Sequence, residues 1–192
     1  MYLLRPWQEQ DAEALARYAA DSRVAADLRD LFPHPYTEGD ARAYIAECIR
    51  QEGAGRLCRA IVEDGQAVGS VEVCLGVDVF RKSGELGYWL GVPFWGRGIM
   101  TAAVEELCRE AFARLDIVRI QAQPFARNTG SRRVLEKAGF TLEGVLRQSV
   151  CKDGEPRSAD WRRPDVRSSG WPFRTRRRQR LWTRSRSRSP FP

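Results

Sequence analysis

Two short stretches of this chain hold residue types that can handle a ligand. The first is Trp95-Gly96-Arg97-Gly98, which ends an apolar, aromatic run through Tyr88 and Trp89 and opens directly onto a helix-forming segment. Glycine lets a backbone turn sharply and approach a ligand closely. The first N–H groups of the following helix have no partners inside it, so such a turn suits a phosphate group. Arg97 brings a positive charge that matches diphosphate oxygens. The second stretch is Asn128-Thr129-Gly130-Ser131, placed between a strand-like and a helix-like segment. Asn and Ser are helix-capping residues, and capping is the plain alternative to a role at a ligand.

The surrounding pattern predicts the elements that position these residues. Tyr2–Arg5 reads as a strand and Gln8–Ala20 as a helix with one apolar face. Ser22–Leu31 reads as a weaker helix that stops before Pro33 and Pro35. Thr37, with Asp40 three residues on, reads as the N-cap of a helix running through Gln51. Leu57–Glu63 and Ala67–Val77 flank Asp64-Gly65, a hairpin signal. Strand Glu85–Leu90, helix Gly98–Leu115, strand Val118–Pro124, helix Ser131–Ala138 and strand Phe140–Val150 follow, and Asp153-Gly154 marks a second turn.

Composition excludes several classes. A chain of 192 residues supports one domain with a sizeable core, and no apolar run has the length of a membrane span, so a cytoplasmic protein is expected. The five cysteines (48, 58, 74, 108 and 151) are widely spaced and His34 is the only histidine, so no metal site is expected and reduced, buried thiols are. The net charge of +7 is unevenly distributed. Residues 157–192 hold 12 arginines and two aspartates, which leaves residues 1–156 at −3.

The order helices, hairpin, strand, glycine turn, helix, strand, helix, strand resembles the GNAT superfamily of N-acetyltransferases, specifically its ribosomal-protein N-terminal acetyltransferase (RimJ/RimL-like) branch. The resemblance covers residues 2 to 156. It is carried by Leu4-Arg-Pro6, Pro33-His-Pro-Tyr-Thr37 with Asp40-Ala41, Gly87-Tyr-Trp-Leu90, Trp95-Gly-Arg-Gly98, Asn128-x-x-Ser131, Leu135-Glu-Lys-Ala-Gly-Phe140 and Glu143-Gly144. It implies an α+β fold with a central, mostly antiparallel twisted sheet flanked by helices. It also implies an enzyme that moves an acetyl group from acetyl-CoA to a primary amine, on a protein N-terminus or a small molecule, by direct transfer in a ternary complex.

By that resemblance Trp95, Gly96, Arg97, Gly98 and Ile99 cradle the pyrophosphate, with Pro93 standing where many members have Gln or Arg. Backbone groups of Leu90, Gly91 and Val92 pair with the pantetheine arm, and one of their N–H groups meets the oxyanion. Asn128 binds the pantetheine region. Ser131 hydrogen-bonds the thioester sulfur and returns a proton to the leaving thiolate, because Leu135 replaces the tyrosine other members use. Glu85, and secondarily Glu143, are candidate general bases, and His34, Tyr36 and Trp89 are candidate contacts of the acceptor. No cysteine lies near a base in sequence, which argues against an acyl-enzyme.

The resemblance stops at Pro156. The family continues with a strand between those at 118–124 and 140–150, whereas Arg157 onward is rich in arginine, serine and proline. The final strand is therefore expected to be missing, with a domain at 1–156 and a disordered basic tail at 157–192. The alternatives are an inactive or unstable C-terminally altered variant, and nucleic-acid binding through the tail. Monomer and homodimer are both compatible, and no membrane partner is expected.

Overall fold

The computed structural model describes residues 1–164. In chain order the elements are β1 (Tyr2–Arg5), α1 (Ala12–Ala19), α2 (Ser22–Ala25), α3 (Glu38–Arg50), β2 (Arg56–Glu63), β3 (Gln66–Leu75), β4 (Ser83–Leu90), α4 (Ile99–Arg114), β5 (Arg119–Gln121), α5 (Thr129–Lys137), β6 (Phe140–Lys152) and β7 (Glu155–Pro164). Strands β1 to β5 form one sheet in sequence order, antiparallel except for the β4–β5 pair. β6 and β7 form a hairpin. Its inner strand meets the chain just beyond β5 through bridges between Ala122 and Arg162 and between Phe125 and Ala159.

Helices cover both faces. α4 and α5 pack Ala103, Val104, Leu107 and Leu135 against Leu57, Ile61, Val71, Val73 and Leu86. On the other face α1 and α3 bring Leu15, Ile45 and Cys48 onto Cys58, Ala60 and Val62. Strand β2 is covered on both faces, which is why Leu57–Val62 is apolar or small at nearly every position rather than alternating. Each fully buried Leu or Ile here contributes about 1.5–3 kcal/mol of hydrophobic stabilisation. α3 begins as its sequence predicts. The Thr37 hydroxyl accepts from the Asp40 N–H at 3.2 Å, and the Asp40 carboxylate accepts the Thr37 N–H at 2.8 Å.

Three expectations need correction. The helix read over 22–31 ends at Ala25, and the chain to Thr37 runs as turns and irregular backbone. The strand read over 118–124 is regular only at Arg119–Gln121, because beyond Gln121 the chain leaves β4 and turns to β7. The final strand is present. Residues 155–164 form β7 between β5 and β6, so the domain runs past 156 and Arg157–Pro164 belongs to the fold rather than to a tail. The remainder of the basic segment, 165–192, lies outside the described residues.

β7 escapes a reading based on β-propensity because its buried charges are neutralised from α5. Asp160 and Arg162 are 1% and 2% exposed. Arg162 meets Asp160 at 3.0 Å and Glu136 at 3.1 Å, and Arg132 meets Asp160 at 3.0 Å. Burying a charge is tolerable only with such partners. Pro164 sits in the last pair of the ladder, opposite Phe140, and Pro156 in the pair next to the turn-end pair, opposite Cys151.

Candidate functional site

β4 and β5 are parallel and paired only at Ser83–Glu85 and Arg119–Gln121, and then diverge. The wedge between them is the candidate site. On the β3 side, the Gly91 N–H donates to the Val68 carbonyl at 2.8 Å and the Gly76 N–H to the Ser83 carbonyl at 2.8 Å. The register between these two bonds is unbroken. An antiparallel ladder alternates the direction of its backbone groups. Residues 83, 85, 87, 89 and 91 therefore face β3, while the N–H groups of Leu86, Tyr88 and Leu90 turn towards the wedge. Of the three residues expected to offer backbone groups to a ligand, Leu90 directs its N–H there and Gly91 has committed its own to β3.

The open edge ends at the glycine turn. The Trp95 indole N–H donates to the Leu90 carbonyl at 2.6 Å, closing the turn over the end of β4. Gly96 and Gly98 have φ of 75° and 78°, a left-handed conformation that disfavours side chains, and Gly98 is the N-cap of α4. The Gly98 carbonyl accepts the first helical bond, from Ala102. The N–H groups of the first turn consequently point out of α4 beside exposed residues 95–98, while Ile99 packs into the core. Arg97 is engaged elsewhere. Its guanidinium forms two bonds to the buried Glu63 carboxylate, at 2.7 and 2.6 Å, and lies over the Phe94 ring. The backbone of the turn, rather than the Arg97 charge, is what this loop presents.

Opposite stands α5. The Asn128 side-chain carbonyl accepts the Ser131 N–H at 2.8 Å and caps the helix. The Ser131 Oγ lies 2.6 Å from the Tyr88 hydroxyl on β4. This contact spans the wedge and unites the two sequence blocks. The sequence marks Tyr88 as part of an aromatic run and assigns it no role at a ligand. The signal was β4 alternation: Tyr88 shares a face with Leu86 and Leu90, so its hydroxyl needs a partner on the α4/α5 side. Burial pushes its phenol above the ordinary tyrosine range.

The other face of β4 carries Glu85 and Trp89. Glu85 is ion-paired with Arg29 of the α2–α3 connection. Trp89 packs edge-on to Phe32, with centroids 6.0 Å apart, and Phe32 lies 4.8 Å from Tyr36. Tyr36 is buried and burial raises its phenol pKa, so it is core-like, whereas His34 is exposed on the same connection. This connection is clasped at two further points unforeseen in the sequence. Asp27 pairs with Arg127 at 2.9 Å, and Asp30 with Lys152 at 2.7 Å. Glu143, the second base candidate, is held by hydrogen bonds from Arg119 and Arg163 that lower its pKa, which makes it a weaker base.

Sequence spacing also concealed a polar cluster under α3. The Cys48 and Cys58 thiols are 3.3 Å apart, and Tyr44 donates to or accepts from Ser70 at 2.8 Å beside them. The nearby Glu72 carboxylate is taken by Arg56. All five cysteines are free thiols. Among the described residues no helix is long and apolar enough to cross a membrane.

The family described as acetyltransferase (GNAT) domain matches residues 2–141. The chain is 40% identical over 91 residues to "Probable N-acetyltransferase YjcK" of Bacillus subtilis (strain 168), covering 47% of this chain and 50% of that protein. It is 27% identical over 101 residues to the ribosomal-protein-serine acetyltransferase of Escherichia coli (strain K12), covering 53% and 55%. The matches thus span about half the length of these relatives. Among solved structures, Mycobacterium smegmatis RimJ in complex with CoA-disulfide superposes with a TM-score of 0.73 at 26% identity, over 84% of this chain and 80% of that one.

Proposed function

The chain belongs to the GNAT acetyltransferase family, and we propose that its wedge binds acetyl-CoA and directs acetyl transfer to a primary amine within one ternary complex. The observation that carries this reading is the continuity of one wall. The open edge of β4 runs through Leu90 into a glycine turn and the N-terminus of α4, with Ser131 facing it from α5. Those residues fit a long, bent ligand with a phosphate-bearing end. The N–H groups around Gly96, Gly98 and Ile99 would hold the pyrophosphate, and the Leu90 edge together with Asn128 the pantetheine arm. Bound acetyl-CoA supplies an activated acyl carbon and a thiolate leaving group.

The chain's own groups supply the rest. The Leu90 N–H is the candidate oxyanion donor. Ser131 meets the departing sulfur as a hydrogen-bond donor. The new C–N bond forms as the C–S bond breaks, the electron pair goes to sulfur, and nitrogen gives up one proton while sulfur gains one. Glu85 is the candidate base, on the face shared with Trp89 and Phe32. A cationic acceptor amine entering there competes with Arg29 for the same carboxylate. The ribosomal-protein relative and the RimJ-like fold support a protein N-terminus as acceptor, with a small-molecule amine as the alternative.

The test is to incubate the full chain with acetyl-CoA and a panel of N-terminal peptides and small amines, reading product by mass spectrometry. Acetylation of a primary amine with release of free CoA is expected. Acetylated protein cysteine in place of a ternary reaction, or no product together with no acetyl-CoA binding, would overturn the reading.

A further inference from the structure

We propose that Tyr88 is a positioning residue for Ser131, setting the direction of the serine hydroxyl proton so that it faces the thioester sulfur. The inference rests on the acetyl-transfer reading and goes further, by naming what makes Ser131 a donor rather than an acceptor.

The argument is a count of protons. The pair holds two, one on each hydroxyl. The Tyr88 oxygen lies 2.6 Å from the Ser131 Oγ and 3.2 Å from the Ser131 carbonyl. The first distance is that of a good O–H···O bond and the second is long. The carbonyl belongs to α5 and has a helical partner four residues on. A phenol is a far better donor than an alkyl hydroxyl, so the short bond runs from Tyr88 to Ser131. The serine proton is then excluded from the Tyr88 side and turns into the wedge.

The surroundings hold this arrangement. Tyr88 packs on the α4-side core, and its enclosure keeps the phenol protonated, so it remains a donor at neutral pH. Arg162, whose charge faces the phenol, is neutralised by Asp160 and Glu136. Cys108, on the α4 side of the same phenol, is fully buried, and its raised pKa keeps it neutral. Asn128 fixes the Ser131 backbone from below through the 2.8 Å cap. Backbone and hydroxyl of Ser131 are therefore each set by one partner, leaving the proton as the one group aimed at a ligand. Serine stays neutral throughout. It stabilises the electron pair that moves to sulfur, and the proton sulfur acquires balances the one the amine loses.

Bound CoA with its free thiol tests this without any acceptor. The thiol pKa is read from the ultraviolet absorbance of the thiolate across pH, in the full chain and in Ser131→Ala, Tyr88→Phe and the double variant. Ser131→Ala is expected to raise the bound thiol pKa by about one unit, a tenfold loss of thiolate. Tyr88→Phe should raise it by at least half as much, and the double variant should match Ser131→Ala alone. With an active acceptor, Tyr88→Phe should lower kcat and leave the KM for acetyl-CoA unchanged. A fluorinated tyrosine at position 88 keeps the ring and strengthens the donor, so it should lower the thiol pKa. That variant carries the test even if Tyr88→Phe folds poorly. A thiol pKa unmoved by both Tyr88 changes, or additive effects of Tyr88→Phe and Ser131→Ala, would overturn the proposal. Failure of the wild-type chain to bind CoA would instead overturn the acetyl-transfer reading beneath it.

Discussion

The two walls of the wedge are built by different means. The β4–α4 wall is local: a strand, a turn with two left-handed glycines and a helix N-terminus follow one another within residues 83–114. What it presents is largely backbone. The opposite side, made by α5, β7 and the α2–α3 connection, is assembled from distant segments through charged side chains. A backbone wall tolerates changes of side chain and is sensitive to changes of conformation. A wall of paired charges is sensitive to the loss of any one buried partner.

Breaking the second wall should give the largest effect. Asp160→Ala leaves the buried Arg162 with the half-exposed Glu136 as its one acidic partner and removes a partner of Arg132. A loss of about 3–5 kcal/mol is expected, measured by urea unfolding of the full chain. A loss under about 1 kcal/mol would mean that β7 is not anchored by this network.

That prediction also marks the limit of what the sequence made legible. Asp64-Gly65, Thr37-x-x-Asp40, Trp95–Gly98 and Asn128-x-x-Ser131 act over a few residues, and each appears in the fold as read. β7 was missed because Arg162 and Asp160 look wrong for an inner strand until α5 is beside them, and that proximity is tertiary. The α2–α3 clasp was missed for the same reason: Asp27, Arg29 and Asp30 meet partners 56 to 122 residues away. In the sequence Arg97 looks free to face a ligand because its partner Glu63 is 34 residues distant.

The first wall should respond to backbone conformation. In Gly98→Ala, a Cβ meets no atom within 4 Å, so the penalty is that of the left-handed φ. A cost of about 1–2 kcal/mol is expected in thermal unfolding. Acetyl-CoA affinity should fall about tenfold by calorimetric titration, because a methyl would stand where, in the proposed site, backbone approaches phosphate closely. Unchanged affinity would move the phosphate site off this turn.

Arg97→Gln sharpens the contrast on the same loop. Its half-exposed guanidinium pairs with buried Glu63, so stability should fall by about 1 kcal/mol while acetyl-CoA affinity changes by less than about threefold. A tenfold loss of affinity with stability intact would show that the charge serves the ligand.

The smallest effect is a pH dependence set by Glu143 on the second side. Arg119 and Arg163 depress the Glu143 pKa in the folded chain. A depressed carboxylate contributes stability that is present above its unfolded pKa of about 4.3 and is lost as pH falls through the folded value. For a largely exposed group this amounts to at most about 1 kcal/mol. Amide exchange, corrected for intrinsic rates, should therefore rise in β6 and β7 below about pH 4, and Glu143→Gln should remove that rise. The same rise in Glu143→Gln would show that this carboxylate does not hold the hairpin.

The central claim is that this wedge is an acetyl-CoA site, and thermal unfolding of the full-length chain with and without acetyl-CoA tests it most directly. One cooperative transition that moves up with ligand is predicted, worth about 2.7 kcal/mol at a hundredfold excess over Kd. A transition that does not move across that range of acetyl-CoA concentration would contradict the account.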